Sequence, residues 1–295
     1  MTKQKSTKCP CCGHNNLKVY VKKHSTQPIE NAEDFFYGGH SFISSASQCK
    51  ACQFIFLENC PTQDEIEKFY SAAEITYYLD TSYQRRIYFQ SLYRKLDNSS
   101  LLDSVHQSAS PILDIGAGSG EWLDLWKKKK YATESNELLI KILINRGIEV
   151  TPKSLDKLQK RSFSMISFFD FLEHIKHPQD FLNHVCSLME PGGLLVIGVP
   201  DFGNLPARLF GKRYYLFTPM HLCYYNKVSM SHLLQRCEYI EDFKILKSPG
   251  FPITLKSLFK WIKAIRVSLP NSIENFVLPF GYSASLIAIA RIKHE

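Results

Sequence analysis

Apolar residues in this chain gather in short runs separated by polar, glycine-bearing stretches. Ile112, Leu113 and Ile115 form one run, residues 163–169 a second, 194–199 a third and 285–292 a fourth. Runs of this length predict strands buried on both faces, as in a parallel sheet. Residues 131–134 predict a further strand ending in an acid. Between the strands the spacing turns helical, at Glu121-Trp122-Leu123 and over 182–189, with Pro191-Gly192-Gly193 predicting a turn and Pro200 a strand end. Strands alternating with helices predict an α/β fold around a parallel sheet.

The flanking regions read differently. Residues 17–21 and 54–57 predict short strands near the N-terminus. Thr62 and Glu65 form a capping box for a helical stretch over 62–102, rich in tyrosine and phenylalanine. Residues 98–110 predict a polar linker. Residues 253–268 set Lys256, Lys260, Lys263 and Arg266 among Leu255, Leu258, Phe259, Trp261 and Ile262, an amphipathic basic helix suited to its own protein or to a membrane surface. The implied organisation is a small module over 1–60, a helical lid and linker over 61–108, and a main domain over 109–295 carrying an inserted helical segment near 252–280.

Composition narrows the class. The chain has 295 residues, 44% hydrophobic and 22% charged, which suits a globular protein. No apolar stretch approaches the roughly eighteen residues of a membrane span. The polar start, Met1-Thr2-Lys3-Gln4-Lys5, offers no signal-peptide core, so a cytoplasmic protein is expected. The net charge of +8 suits an anionic partner. Its one dense run, Lys127 to Lys130, reads as the solvated end of the helix after residue 120.

Nine cysteines in a reducing compartment, clustered, point to metal rather than disulfides. Cys9, Cys12, Cys49 and Cys52 are spaced C-x2-C-x36-C-x2-C. Two such knuckles complete a tetrahedral thiolate shell for Zn²⁺, and Pro10 and Gly13 fit a zinc ribbon. Four protein ligands leave no open position, so the predicted zinc is structural. Cys11, His14, His40 and Cys60 are subsidiary candidates.

Residues 111–120, Pro-Ile-Leu-Asp-Ile-Gly-Ala-Gly-Ser-Gly, form a strand followed by a glycine turn, a geometry that lets the backbone approach a ligand closely. A dinucleotide fingerprint needs a third glycine at 121; Glu121 stands there, unfavourably close to any pyrophosphate. About twenty residues after Asp114 comes Glu134, suited to accept hydrogen bonds from both hydroxyls of a ribose.

The pattern D-x-G-x-G-x-G resembles motif I of class I methyltransferases that use S-adenosylmethionine (SAM). Residues 168–175, Phe-Phe-Asp-Phe-Leu-Glu-His-Ile, His177-Pro178 and the stretch 189–200 resemble the UbiG-like, methyltransferase-23-type branch. His177 replaces the usual acid of that branch and Met189 a leucine. The resemblance covers about 110–245 and the last strand. It implies a Rossmann-like seven-stranded fold with SAM held by Asp114, Gly116, Ala117, Gly118, Glu134 and Phe169. It also implies a lid before the first strand, for which Tyr70, Tyr77 and Tyr78 are candidates.

The acceptor would approach from the loops at 170–177 and 201–225. His221 is the candidate base, its ordinary pKa lying near neutrality; His174 is more suited to ordering the pocket. Lys212 and Arg213 could grip a phosphate or carboxylate. A small-molecule, glycan-precursor or lipid-linked acceptor is expected, with oxygen favoured on family breadth. The alternatives are an RNA methyltransferase using the ribbon, against which the acids Glu30, Glu33, Asp34 and Glu58 speak, and a non-catalytic SAM-binding protein, against which the intact motif speaks.

Overall fold

The computed structural model describes residues 7–22, 29–30, 34, 43, 45–58, 65–66, 69, 76–151, 155–254 and 277–294. Strand β4 (Ile112–Ile115) lies inside a seven-stranded sheet. On one side come β5 (Lys130–Thr133) and β6 (Glu149–Val150); on the other β7 (Phe163–Phe169), β8 (Met189–Pro200), β13 (Ser285–Ile292) and, at the edge, β10 (Ile240–Lys247). The five strands from β6 to β8 pair in parallel. β13 runs against both β8 and β10 and is the one reversed strand.

Burial on both faces explains the unbroken apolar runs. Successive residues of a strand point to opposite faces. Leu113, Ile166, Leu195, Ile197 and Ala288 enter one core, while Ile112, Met165, Leu194, Val196, Ile287 and Ile289 enter the other. The second core is closed by helix α1 (Thr76–Asp97), through Phe89, Leu92 and Leu96, and by the short α2 (Asp103–Gln107), through Val105. The first is closed by α4 (Pro178–Ser187) and α5 (Lys227–Gln235); α3 (Glu137–Asn145) sends Leu143 into the second core.

The N-terminal module builds its own sheet from β1 (Leu17–Val21), β2 (Ala46–Cys49) and β3 (Ile55–Leu57). A fourth strand, β9 (Cys223–Tyr224), comes from the main domain and pairs with β3 at Ile55 and Phe56. The Leu57 amide extends this joint by donating to the Leu222 carbonyl at 2.9 Å. The module is therefore stitched to the 201–225 loop of the main domain by backbone hydrogen bonds.

Several expectations are corrected. The helix after the glycine turn is absent: residues 121–126 make only a turn and the single 3-10 turn Leu123–Leu125. The lysine run is therefore no helix end. Lys128 donates to the carbonyls of Val105 and Ser108 behind α2, Lys129 pairs with Glu149 at 3.2 Å, and Lys130 opens β5. The polar linker contains α2 and the fully buried Leu102 and Val105. Pro191-Gly192-Gly193 lies within β8, where Gly192 has φ +72°. The ends of the expected helical insert are strands, β11 (Phe251–Thr254) and β12 (Val277–Tyr282), paired antiparallel. Residues 255–276, with the rest of the basic helix, lie outside the described residues.

Candidate functional site

The glycine loop joins β4 to the turn at 121–126. Gly116, Gly118 and Gly120 all have positive φ, +69°, +56° and +87°. At Gly116 a Cβ would stand 2.6 Å from the Phe171 ring, so a side chain there is excluded twice over, by space and by backbone angle. The Gly116 and Ala117 amides donate to the Thr133 carbonyl at 3.0 and 3.1 Å, which binds the loop to the end of β5.

Three carboxylates surround this loop. Asp114 is buried and accepts from the Ser167 hydroxyl of β7 at 2.7 Å. Burial pushes its carboxyl up to about 7, Ser167 and Arg85 pull it down, and Glu134 and Glu121 add to the rise. Glu134, just past β5, accepts from the Gly118 amide at 2.9 Å and from the Ser135 and Asn136 amides at 2.7 and 3.0 Å. Glu121 is buried and accepts from Ser119 at 2.6 Å, from Ser82 at 2.9 Å and from Arg85 at 3.4 Å. Burial pushes Glu121 up, but Ser119, Arg85 and Ser82 outweigh it and hold the carboxyl below its usual range.

Ser82 and Arg85 belong to α1, so the helix before the first strand is latched onto the loop. The sequence reading had tyrosines in that lid and missed the arginine. Tyr70 and the side chains of Tyr77 and Tyr78 lie outside the described residues. The signal available was an unpaired acid at 121 beside a glycine loop, which needs a cation brought from elsewhere. Phe169 is half-buried, its ring set against Phe89 at 4.9 Å and Trp122 at 5.3 Å. A small cavity opens beside it, lined by Arg85, Tyr88, Phe89, Asp170, Ser248 and Phe251.

The residues fit SAM on electrostatic grounds. The ammonium and sulfonium of SAM are cationic, and a loop ringed by Asp114, Glu121 and Glu134 favours cations and repels a polyphosphate.

After β7, where the sequence led us to expect the acceptor, comes the turn Leu172–His174. His221 is buried and its Nδ1 faces the Leu216 carbonyl at 2.8 Å; His174 Nδ1 faces the Met220 carbonyl at the same distance. A carbonyl only accepts, so each Nδ1 carries the proton and the neutral His221 ring keeps its lone pair on Nε2, while the His174 ring also faces the Asp170 carbonyl. Glu173 Oε1 lies 3.9 Å from His221 Nε2 and 4.0 Å from His174 Nε2. Burial, then the neighbouring His174, pulls His221 down to about 3; burial pulls His174 down to about 4 against the Met220 and Asp170 carbonyls. Burial, then Asp170, pushes Glu173 well above the ordinary range. Lys212 and Arg213 are exposed on the following loop.

In the module, Cys9, Cys12, Cys49 and Cys52 are all buried, with Sγ atoms within 4.8 Å of one another. Cys9 and Cys52 stand 3.7 Å apart, Cys12 and Cys49 3.5 Å. A tetrahedral zinc with sulfurs at about 2.3 Å sets them about 3.8 Å apart, so the thiols fit the ion. Both knuckles make the same turn, Gly13 donating to Cys9 and Gln53 to Cys49, with positive φ at each. Cys11 lies outside the group of four; its thiol donates to the Ser229 carbonyl at 3.3 Å. His14 is exposed, and His40 and Cys60 lie outside the described residues.

A seven-stranded sheet in this order, with one reversed strand and an acid-ringed glycine loop after β4, defines a class I SAM-dependent methyltransferase. The chain belongs to the methyltransferase-domain family, whose sequence model matches residues 83–239, more than half its length. Among solved structures it is similar to a SAM-dependent methyltransferase from Archaeoglobus fulgidus at 20% identity, over 73% of this chain and 99% of that one, TM-score 0.49. It is also similar to one from Thermotoga maritima at 18%, over 74% and 97%, TM-score 0.44. No curated protein sequence matches significantly. The family model carries the assignment; likenesses this distant say nothing about the acceptor.

Proposed function

We propose that this methyltransferase belongs to the UbiG-like branch and transfers the methyl group of SAM to an oxygen of a small-molecule or glycan-precursor acceptor in the cytosol. The observation that carries the cofactor half is the ring of Asp114, Glu121 and Glu134 around a loop with no room for side chains at Gly116. In this reading Asp114 and Glu134 orient SAM, Gly116, Ala117 and Gly118 admit it, and Phe169 packs beneath it. Methyl transfer from a sulfonium needs alignment and removal of one proton from the acceptor. His221, whose Nε2 bears a lone pair beside Glu173, is the candidate group for that proton; His174 orders the same pocket. Lys212 and Arg213 would meet an anionic group on the acceptor.

The thiolate module holds a structural zinc in this proposal and acts on the acceptor side. Its support is the β3–β9 joint, two residues beyond His221. A screen of candidate acceptors with SAM, scored by S-adenosylhomocysteine release, tests the reading. Turnover with a hydroxyl-bearing metabolite is expected. Turnover confined to RNA, or SAM binding without any transfer, would replace it.

A further inference from the structure

Glu173 holds its carboxyl group in an expensive position. Its side chain is 2% exposed, and neither oxygen has a hydrogen-bond partner among the described residues. The nearby carboxylates of Asp114, Glu121 and Glu134 each accept hydrogen bonds. A buried carboxyl left so normally costs a few kcal/mol and calls for a compensating group. The two atoms closest to supplying one are imidazole nitrogens, His221 Nε2 and His174 Nε2, but both stand beyond hydrogen-bond distance.

We propose that Glu173, His174 and His221 form a binding site for a divalent transition-metal ion, separate from the thiolate cluster. The three ligand atoms lie within 4.8 Å of one another. An ion with ligands at about 2.1 Å needs separations near 3.4 Å, so the two Glu173–histidine distances shorten by about half an ångström and no pair by more than about 1.4 Å. Each histidine already shows the outer arrangement usual for a metal ligand, its second nitrogen donating to a backbone carbonyl, Leu216 or Met220. The Leu222 amide donates to the Glu173 carbonyl at 2.8 Å, fixing the two ligand-bearing segments together. Two imidazoles and one carboxylate suit Mn²⁺, Fe²⁺, Co²⁺ or Zn²⁺ and leave positions for water or an acceptor oxygen on the side of His174, the most exposed of the three at 16%. An ion there would occupy His221 Nε2 and take over its task, making a bound hydroxyl easier to deprotonate; only that consequence rests on the acceptor half of the proposed function.

Mn²⁺ separates the two sites, because it favours imidazole and carboxylate over thiolate and leaves a thiolate-held zinc in place. Purified chain is titrated with Mn²⁺ and the free ion followed by electron paramagnetic resonance, with SAM affinity measured by calorimetry on the same samples. Wild type should bind about one equivalent, and Glu173→Gln should weaken binding at least tenfold. His174→Ala, placed nearer the surface and less disruptive to folding, should do the same. Failure of wild type to bind Mn²⁺, or unchanged affinity in both variants, overturns the inference. SAM binding without Mn²⁺ binding sinks the metal site alone; Mn²⁺ binding without SAM binding sinks the cofactor reading alone.

Discussion

The two sides of the sheet's carboxyl end treat their acids in opposite ways. Around the glycine loop, Asp114, Glu121 and Glu134 are each answered by hydroxyls, amides or Arg85. Across β7, Glu173 is as deeply buried and has no such answer. The first region is a receptor completed by the chain itself, ready for a cation of fixed shape. The second is incomplete without something added. In the proposed reading, that difference separates a part of the protein tuned to SAM from a part that meets the acceptor.

The sharpest way to break the contrast is through the thiolate cluster, whose module meets the main domain, among the described residues, at the β9 joint and at Ser229 and Arg236. Removing the proposed zinc by Cys49→Ser forfeits a metal contribution on the order of 10 kcal/mol. Elemental analysis should show one zinc fewer per chain, and proteolysis should open residues 7–58 and the β9 joint. SAM affinity should stay within a few-fold. Loss of SAM binding along with the module would show that the two sides are not separable.

A second test uses pH. The Asp114 carboxyl stands at about 7 when folded, against 3.8 when unfolded. An acid raised in this way favours the fold most below its unfolded pKa, and that contribution is lost as pH rises through the folded one. SAM-free protein should therefore lose stability between pH 4 and 7, by up to about 4 kcal/mol, and Asp114→Asn should flatten the profile in thermal melts. Because SAM brings positive charge, its affinity should rise across the same interval with release of a proton, which calorimetry in buffers of different ionisation enthalpy detects. A wild-type stability profile indistinguishable from that of Asp114→Asn would remove Asp114 from this account.

His221→Ala probes the other side. Its turnover number should fall about a hundredfold while SAM affinity holds. Full turnover would reduce His221 to packing. The smallest effect is expected from Glu134→Ala, which should weaken SAM at least tenfold, about 1.4 kcal/mol. It also frees the Gly118, Ser135 and Asn136 amides, so wild-type affinity in that variant would place the ribose elsewhere.

Much of this was legible in the sequence because it depends on local pattern. The buried strands, the glycine loop and its acids, and the four spaced cysteines follow from residues close together or from strict spacing. What escaped depends on contacts between distant segments. Arg85 meets Glu121 across 36 positions, and Glu173 meets His221 across 48. The helix expected at Glu121-Trp122-Leu123 failed for a related reason: Trp122 and Trp126 are drawn into the core under α1, and tertiary packing ends the turn early. His221 was found as a lone histidine; only the fold shows that it comes with a carboxylate and a second imidazole.

The β3–β9 joint also sets an order of events during synthesis. The cysteine knuckles emerge from the ribosome early and hold all four thiols needed to trap an ion. Their sheet, however, is finished by Cys223 and Tyr224, made long after Leu57. At roughly 5–20 residues per second, that interval lasts about ten to thirty seconds. Throughout it β3 presents an open edge of the kind that invites pairing with other chains. A nascent polypeptide loaded with metal would wait in a half-built state, so zinc supply and translation speed should both bear on how much of this protein reaches its finished form.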